Sequence, residues 1–293
     1  MTPAPDRYAV IGHPVAHSQS PYIQHAFAAQ TGEAIEYGRI DCRPEDFEAT
    51  LRAWIAGADP ARGLGTVRGC NITVPLKFHV IPLARRVSAR AAQAQAANVL
   101  RFDPEAEGGW LADNTDGIGL VRDIRDHAAT PIAGARVLLV GAGGAAAGVL
   151  GPLIEAGAAV VTVANRTVER AAALIERHRA LAEAQRCALA ATGLDDAGEA
   201  YAIVVNASSS SLAGAAVPVP DRVLAPGALA VDRMYGAPAR PFLAWAAMHG
   251  AAARDGLGML VEQAAEAFAL WRGVRPRTAP VLAALRARLD AGA

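Results

Sequence analysis

The sequence predicts an α/β protein of two domains, the second a doubly wound unit of Rossmann type. Three observations predict it. The chain has 293 residues, enough for two modest cores. Short apolar strands alternate with helical patterns from the first strand onward. The run Arg136–Arg170 reads as strand, glycine turn, small-residue helix and second strand, at the length of one βαβ unit.

In order, Tyr8–Ile11 is an apolar strand ended by Gly12-His13-Pro14. A helix over Tyr22–Gln30 follows, with Ser20 expected as its N-cap and Pro21 at the first helical position. Capping leaves Ser18 unexplained, and two hydroxyls at a helix start also suit a small carboxylate. Ile35–Ile40 reads as a strand and Pro44–Gly57 as a helix with Phe47, Leu51 and Trp54 on one face. Asp59–Arg68 is loop. A buried strand over Gly69–Val74 stops at Pro75, which places Lys77 in the first turn of the next helix, whose positive end would lower its pKa. Asn71 and Thr73 alternate and so point the same way. An Ala-rich helix is expected over Ala84–Ala97, then a hairpin of Val99–Phe102 with Gly109–Ala112. Asp113 or Asp116 would cap a helix over Ile118–His127.

In the second half, Val137–Val140 is a buried strand, and Gly141, Gly143 and Gly144 leave room for backbone N–H groups to approach a pyrophosphate at a helix N-terminus. Gly148 lets that helix pack closely. The alternative is a purely structural turn. After the second strand, Ala159–Ala164, stand Asn165, Arg166, Thr167 and Arg170, with no carboxylate to bind a ribose 2′-hydroxyl. Two guanidinium forks and a hydroxyl suit a 2′-phosphate, so NADP is expected rather than NAD. As a mere solvated helix start, the two cations would oppose the helix dipole. A helix to about Glu183, strands Ala202–Val205 and Ala228–Asp232, a polar loop Asn206–Ser211, a helix Pro241–His249 and last helices Val261–Arg272 and Thr278–Leu289 complete the chain.

Composition limits the function. The formal net charge is zero, so no basic field exists for nucleic acid or an anionic membrane. Cys42, Cys70 and Cys187 are too few and scattered for a disulfide framework or a thiolate metal site, and no metal is expected. The start of the chain lacks a leader pattern and no run is apolar over a membrane's width, so a cytoplasmic location is expected. Of 28 basic side chains, only Lys77 is a lysine, and asparagine occurs only at 71, 98, 114, 165 and 206. If bias has replaced lysine wherever arginine serves, the survivor marks a place where arginine fails. Arginine cannot give up its proton and a partly buried lysine can, which makes Lys77 the first candidate for acid–base chemistry.

Six ordered motifs, HPVAHSQSP, NITVPLK, DNTDG, GAGGAAAG, NRTVER and DGLGMLVEQAAEAF, resemble the shikimate dehydrogenases across nearly the whole chain. The resemblance implies reduction of 3-dehydroshikimate to shikimate with NADPH. It also implies a substrate-binding catalytic domain of residues 1–115, completed by helices in 257–293, an NADP-binding domain of 116–256, and a cleft between them. It implies Lys77 and Asp116 as the catalytic pair, and Ser18 and Ser20 as hydroxyls for the substrate carboxylate. Asn71, Thr73, Asn98, Tyr235 and Gln263, with Asp116, match positions around the ring hydroxyls. Gly141, Ala142, Gly143, Gly144 and Ala145 match the phosphate turn; Asn165, Arg166, Thr167 and Arg170 match the 2′-phosphate clamp; Arg233 and Gly256 lie beside the nicotinamide.

Four positions depart from the family's usual residues: Val99 for Thr, Ala147 for Arg, Arg233 for Met and Arg240 for Thr. They leave quinate or an amino-shikimate as alternative substrates. A non-catalytic NADP-binding sensor would be expected to lack the lysine and aspartate. A methylenetetrahydrofolate dehydrogenase type is disfavoured by the paired serines and DNTDG. The expected partner is a small carboxylic acid, with the chain a monomer or homodimer.

Overall fold

The computed structural model describes residues 4–57, 65–103, 109–208, 210 and 217–291. The chain divides into two compact units, Met1–Thr115 with Gln263–Gly292, and Asp116–Glu262. Most of the expected loop at 59–68, the acidic loop of the hairpin and most of the loop after Ser208 fall outside the described residues.

In the first unit, β1 (Asp6–Gly12), β2 (Ile35–Asp41) and β3 (Val67–Ile72) are parallel neighbours, with α1 (Ser20–Thr31) and α2 (Phe47–Ala56) between them in sequence. Strand β4 (Arg86–Val87) and helix α3 (Ala89–Ala94) come next, then the antiparallel hairpin β5 (Val99–Arg101) and β6 (Leu111–Asp113). The sheet order is β2-β1-β3-β5-β6-β4. Ile11, Leu51, Cys70, Ile72, Leu76 and Leu100 form its core, as the alternation of apolar positions requires. This arrangement brings the C-terminal ends of β1 and β3 together, so that Thr73 lies directly over Gly12.

In the second unit, α4 (Asp116–Arg122) leads through a π turn at Asp123–His127 to β7 (Arg136–Val140) and α5 (Gly144–Glu155). Then follow β8 (Val160–Ala164), α6 (Val168–Gln185), β9 (Ala188–Thr192), β10 (Tyr201–Asn206), β11 (Leu224–Asp232), α7 (Arg240–Met248) and β12 (Ala252–Arg254). All pairings are parallel, in the order β12-β11-β10-β7-β8-β9, the arrangement of two mononucleotide-binding halves meeting between β7 and β10. Val137–Leu139 have no exposed surface, as the central strand of a parallel sheet should. Helix α8 (Leu257–Arg272) carries the boundary between the units at Glu262 and Gln263, and α9 (Ala279–Ala291) ends the described chain.

Four local expectations are corrected. Gln19, not Ser20, is the N-cap of α1, and its side chain makes no cap. Ser18 instead accepts the Ser20 N–H at 3.3 Å. The helix expected over Ala84–Ala97 is only α3, because Ser88 stands in extended backbone, caps α3 by accepting the Ala91 N–H, and lets β4 pair with β6. Lys77 lies in a three-residue 3-10 turn, Leu76–Phe78, too short to supply the helix dipole invoked for it. Asp113 caps no helix; it accepts two bonds from Arg90, at 2.7 and 2.5 Å, and one from Ser88 at 2.5 Å. Strands β9 and β12 carry no signal in the sequence, since ALAAT and AAR have little β propensity; β9 pairs with β8 and β12 with β11.

Candidate functional site

In the first unit the predicted binding residues form a connected polar set. Ser18 Oγ donates to Ser20 Oγ at 3.1 Å, and Ser20 interacts with the Tyr37 phenol. Tyr37 Oη donates to Asn71 Oδ1 at 2.7 Å, and Asn71 Nδ2 donates to the Asn98 carbonyl at 3.3 Å. Asn98 Nδ2 then donates to Gln263 Oε1 on α8 and to Thr115 Oγ1, both at 3.1 Å, while its Oδ1 takes the Thr115 N–H at 2.8 Å. Six separate segments therefore present hydroxyls and amides to one another.

Tyr37 was not singled out by the sequence, because one inward tyrosine in a strand carries no motif. Burial pushes its hydroxyl well above the ordinary range, so it remains a neutral donor. Arg39, likewise unmarked, grips the Ser18 carbonyl with Nε at 3.1 Å and Nη2 at 2.6 Å. Lys77 is half-buried, and its carbonyl accepts the Ala97 N–H at 3.0 Å, one residue from Asn98.

In the second unit, Asp116 opens α4 with no exposed surface. Arg233, just past β11, places Nη2 3.8 Å from Asp116 Oδ2. Its own N–H bonds the Asn206 carbonyl at 3.1 Å. Asp232 fixes this corner by accepting from Asn206 Nδ2 at 3.2 Å and from the Met234 N–H at 2.8 Å. Gly256 packs against the Arg233 backbone, where a Cβ would stand 2.2 Å from the carbonyl oxygen. Tyr235 is half-buried, and burial, with Asp255 nearby, raises its pKa.

The glycine turn fits a dinucleotide. Gly141 has φ +109°, and a Cβ there would also meet the Ala207 backbone at 3.0 Å. Gly143 is the N-cap of α5 and has open space where a Cβ would project. The first intrahelical bond starts at the Ala147 N–H, so the N–H groups of residues 144–146 remain as anion donors. Ala147 is buried, at 3% exposure, and brings no side-chain donor to the turn, which leaves the backbone N–H groups as its anion donors. At the tip of β8, Asn165 Nδ2 donates to the Thr167 carbonyl at 2.8 Å, and Arg166, Thr167 and Arg170 are exposed.

Family models match in chain order: the shikimate dehydrogenase substrate binding domain over residues 10–100, shikimate / quinate 5-dehydrogenase over 123–213, and the shikimate 5′-dehydrogenase C-terminal domain over 256–286. A shikimate dehydrogenase (NADP(+)) of Methylibium petroleiphilum is 61% identical over 287 residues, covering 98% of this chain and 96% of that one. The chain belongs to the shikimate dehydrogenase family. Another shikimate dehydrogenase (NADP(+)), from Acidovorax sp., is 53% identical over the full length of both chains. Among solved structures similar to this family member, an Ael1 enzyme from Pseudomonas putida has TM-score 0.83 and 43% identity, covering 96% of this chain and 98% of that one. The shikimate 5-dehydrogenase of Thermus thermophilus in complex with shikimate has TM-score 0.78 and 32% identity, covering 97% of this chain and 99% of that one. Among the described residues, no helix is long and apolar enough to cross a membrane.

Proposed function

We propose that the chain is an NADP-dependent shikimate dehydrogenase that interconverts 3-dehydroshikimate and shikimate. The observation that carries this reading is the linked set Ser18, Ser20, Tyr37, Asn71, Asn98 and Gln263, whose donors and acceptors match a carboxylate and ring hydroxyls. The names of the relatives support the same activity.

In this proposal residues 1–115 with 257–293 bind the acid, and 116–256 hold the dinucleotide. Ser18 and Ser20 hold the carboxylate. Asn71, Thr73, Asn98, Asp116, Tyr235 and Gln263 hold ring hydroxyls or line their pocket. The turn Gly141–Ala145 holds the pyrophosphate, with the N–H groups at the start of α5 as donors while the Gly141 N–H stays bonded to the Ala164 carbonyl; Asn165, Arg166, Thr167 and Arg170 hold the 2′-phosphate, with Arg233 and Gly256 at the nicotinamide. Bound there, NADPH supplies a hydride to the ring ketone. Lys77 delivers the proton from Nζ to the ketone oxygen and stabilises its developing negative charge. Asp116 orients Lys77 and accepts from a neighbouring hydroxyl. The protein is expected to work in the cytoplasm as a monomer or homodimer.

The test is initial rates of NADP+ and NAD+ reduction with shikimate and with quinate. Faster turnover of shikimate with NADP+ supports the proposal. No oxidation of either acid with either cofactor overturns it, and a preference for quinate reassigns the substrate.

A further inference from the structure

Hydroxyls can hold a carboxylate, but they carry no charge to select an anion over a neutral group of the same shape. A cation stands beside the serine pair. Arg39 lies on β2 two residues after Tyr37, so the two side chains leave the strand on the same face. Its Nε and Nη2 both donate to the Ser18 carbonyl, at 3.1 and 2.6 Å, while Ser18 Oγ donates to Ser20 Oγ at 3.1 Å. The Arg39 charge also reaches the Tyr37 hydroxyl, which is itself bonded to Ser20.

The acids on the same strand are engaged elsewhere. Asp41 faces His13 Nδ1 at 2.6 Å, and Glu36 faces Arg7 at 3.7 Å. Among the described residues no carboxylate is paired with Arg39, so its fork meets a neutral oxygen and its positive charge is left uncompensated. Resting on the proposed shikimate-binding function, we infer that Arg39 is the positioning residue behind carboxylate recognition: its fork fixes the Ser18 backbone, and its charge gives the Ser18 and Ser20 hydroxyls their preference for an anion. The serines remain the contacts to the acid. Arg39 acts through them and through its field, which extends over a Debye length.

The test is steady-state kinetics of the full-length protein, with shikimate varied at saturating NADP+ in about 0.05 and about 0.5 M salt. Arg39→Met is expected to raise KM for shikimate about ten-fold, the scale of a lost charged interaction, with kcat held within about two-fold. Added salt is expected to raise KM in the unmodified protein and to do so far less in Arg39→Met, because the charge being screened is gone. Arg39→Lys, which keeps the charge and loses the fork, is expected to keep the salt dependence and recover part of the KM. Arg39 is exposed, so both variants should fold, and thermal unfolding checks this. An unchanged KM, a loss confined to kcat, or a raised KM with the salt dependence of the unmodified protein overturns the inference. No oxidation of shikimate by the unmodified protein overturns instead the function on which it rests.

Discussion

Arg254→Met should destabilise the second unit because it strands a buried carboxylate. Asp123 lies in the π turn with no exposed surface, and Arg254 at the end of β12 grips it with Nε to Oδ2 at 2.8 Å and Nη2 to Oδ1 at 2.5 Å. Helix α8 closes over the pair, since a Cβ at Gly258 would sit 1.7 Å from Asp123 Oδ1. Removing one partner of a buried pair costs about 3–5 kcal/mol. Arg254 keeps 24% side-chain exposure, which puts the expected loss near the lower end, about 3 kcal/mol. For a unit of this size that is roughly 6–12 °C in Tm. Asp123→Asn should cost less, about 1–2 kcal/mol, because the arginine left behind reaches water. The double variant should resemble Asp123→Asn rather than the sum of the two. Thermal and urea unfolding followed by circular dichroism would measure all three. A shift under about 2 °C for Arg254→Met, or simple additivity in the double variant, would refute the assignment of a buried, coupled pair.

Lys77→Ala should lower kcat by orders of magnitude with little change in shikimate affinity, and retained activity would remove Lys77 from the chemistry. Arg166→Gln and Arg170→Gln should each raise KM for NADP+ about ten-fold and leave KM for NAD+ unchanged; equal effects on both would place the guanidiniums elsewhere. Asp113→Asn should flatten the acid side of the stability profile. Burial pushes the Asp113 carboxyl up, but Arg90 and Ser88 outweigh it and hold the pKa below the ordinary value. The stabilisation is thus present above the unfolded carboxyl value of about 4 and is lost as pH falls through the lower folded value. Urea titrations at pH 7 and at pH 3 should differ more for the unmodified protein than for the variant, and equal differences would contradict the pairing.

Much of the candidate site was legible because its chemistry needs particular atoms at short range in sequence. The glycine turn and the arginines after β8 could be read directly, since both depend on local backbone and on charges a few residues apart. The rarity of asparagine was also informative. Each of the five donates through its side-chain amide: Asn71 to the Asn98 carbonyl, Asn98 to Thr115, Asn114 to the Ala96 carbonyl, Asn165 to the Thr167 carbonyl and Asn206 to Asp232. A carboxylate has no such donor, so aspartate could not replace them.

The sequence by itself determined the α/β class, the βαβ unit with its glycine turn, and the candidate residues Lys77, Asn71 and Arg166, because periodicity, turn chemistry and charge act over a few residues. Tertiary structure alone decided that Ser88 splits an Ala-rich stretch into strand and cap, and that Lys77 sits in a single 3-10 turn. It also decided that Tyr37 joins Ser20 to Asn71, that Asp123 pairs with Arg254 across 131 residues, and that Arg233 is enclosed beside Asp116. Those contacts rest on burial and on partners far apart in the chain, and neither is written in any local pattern of residues.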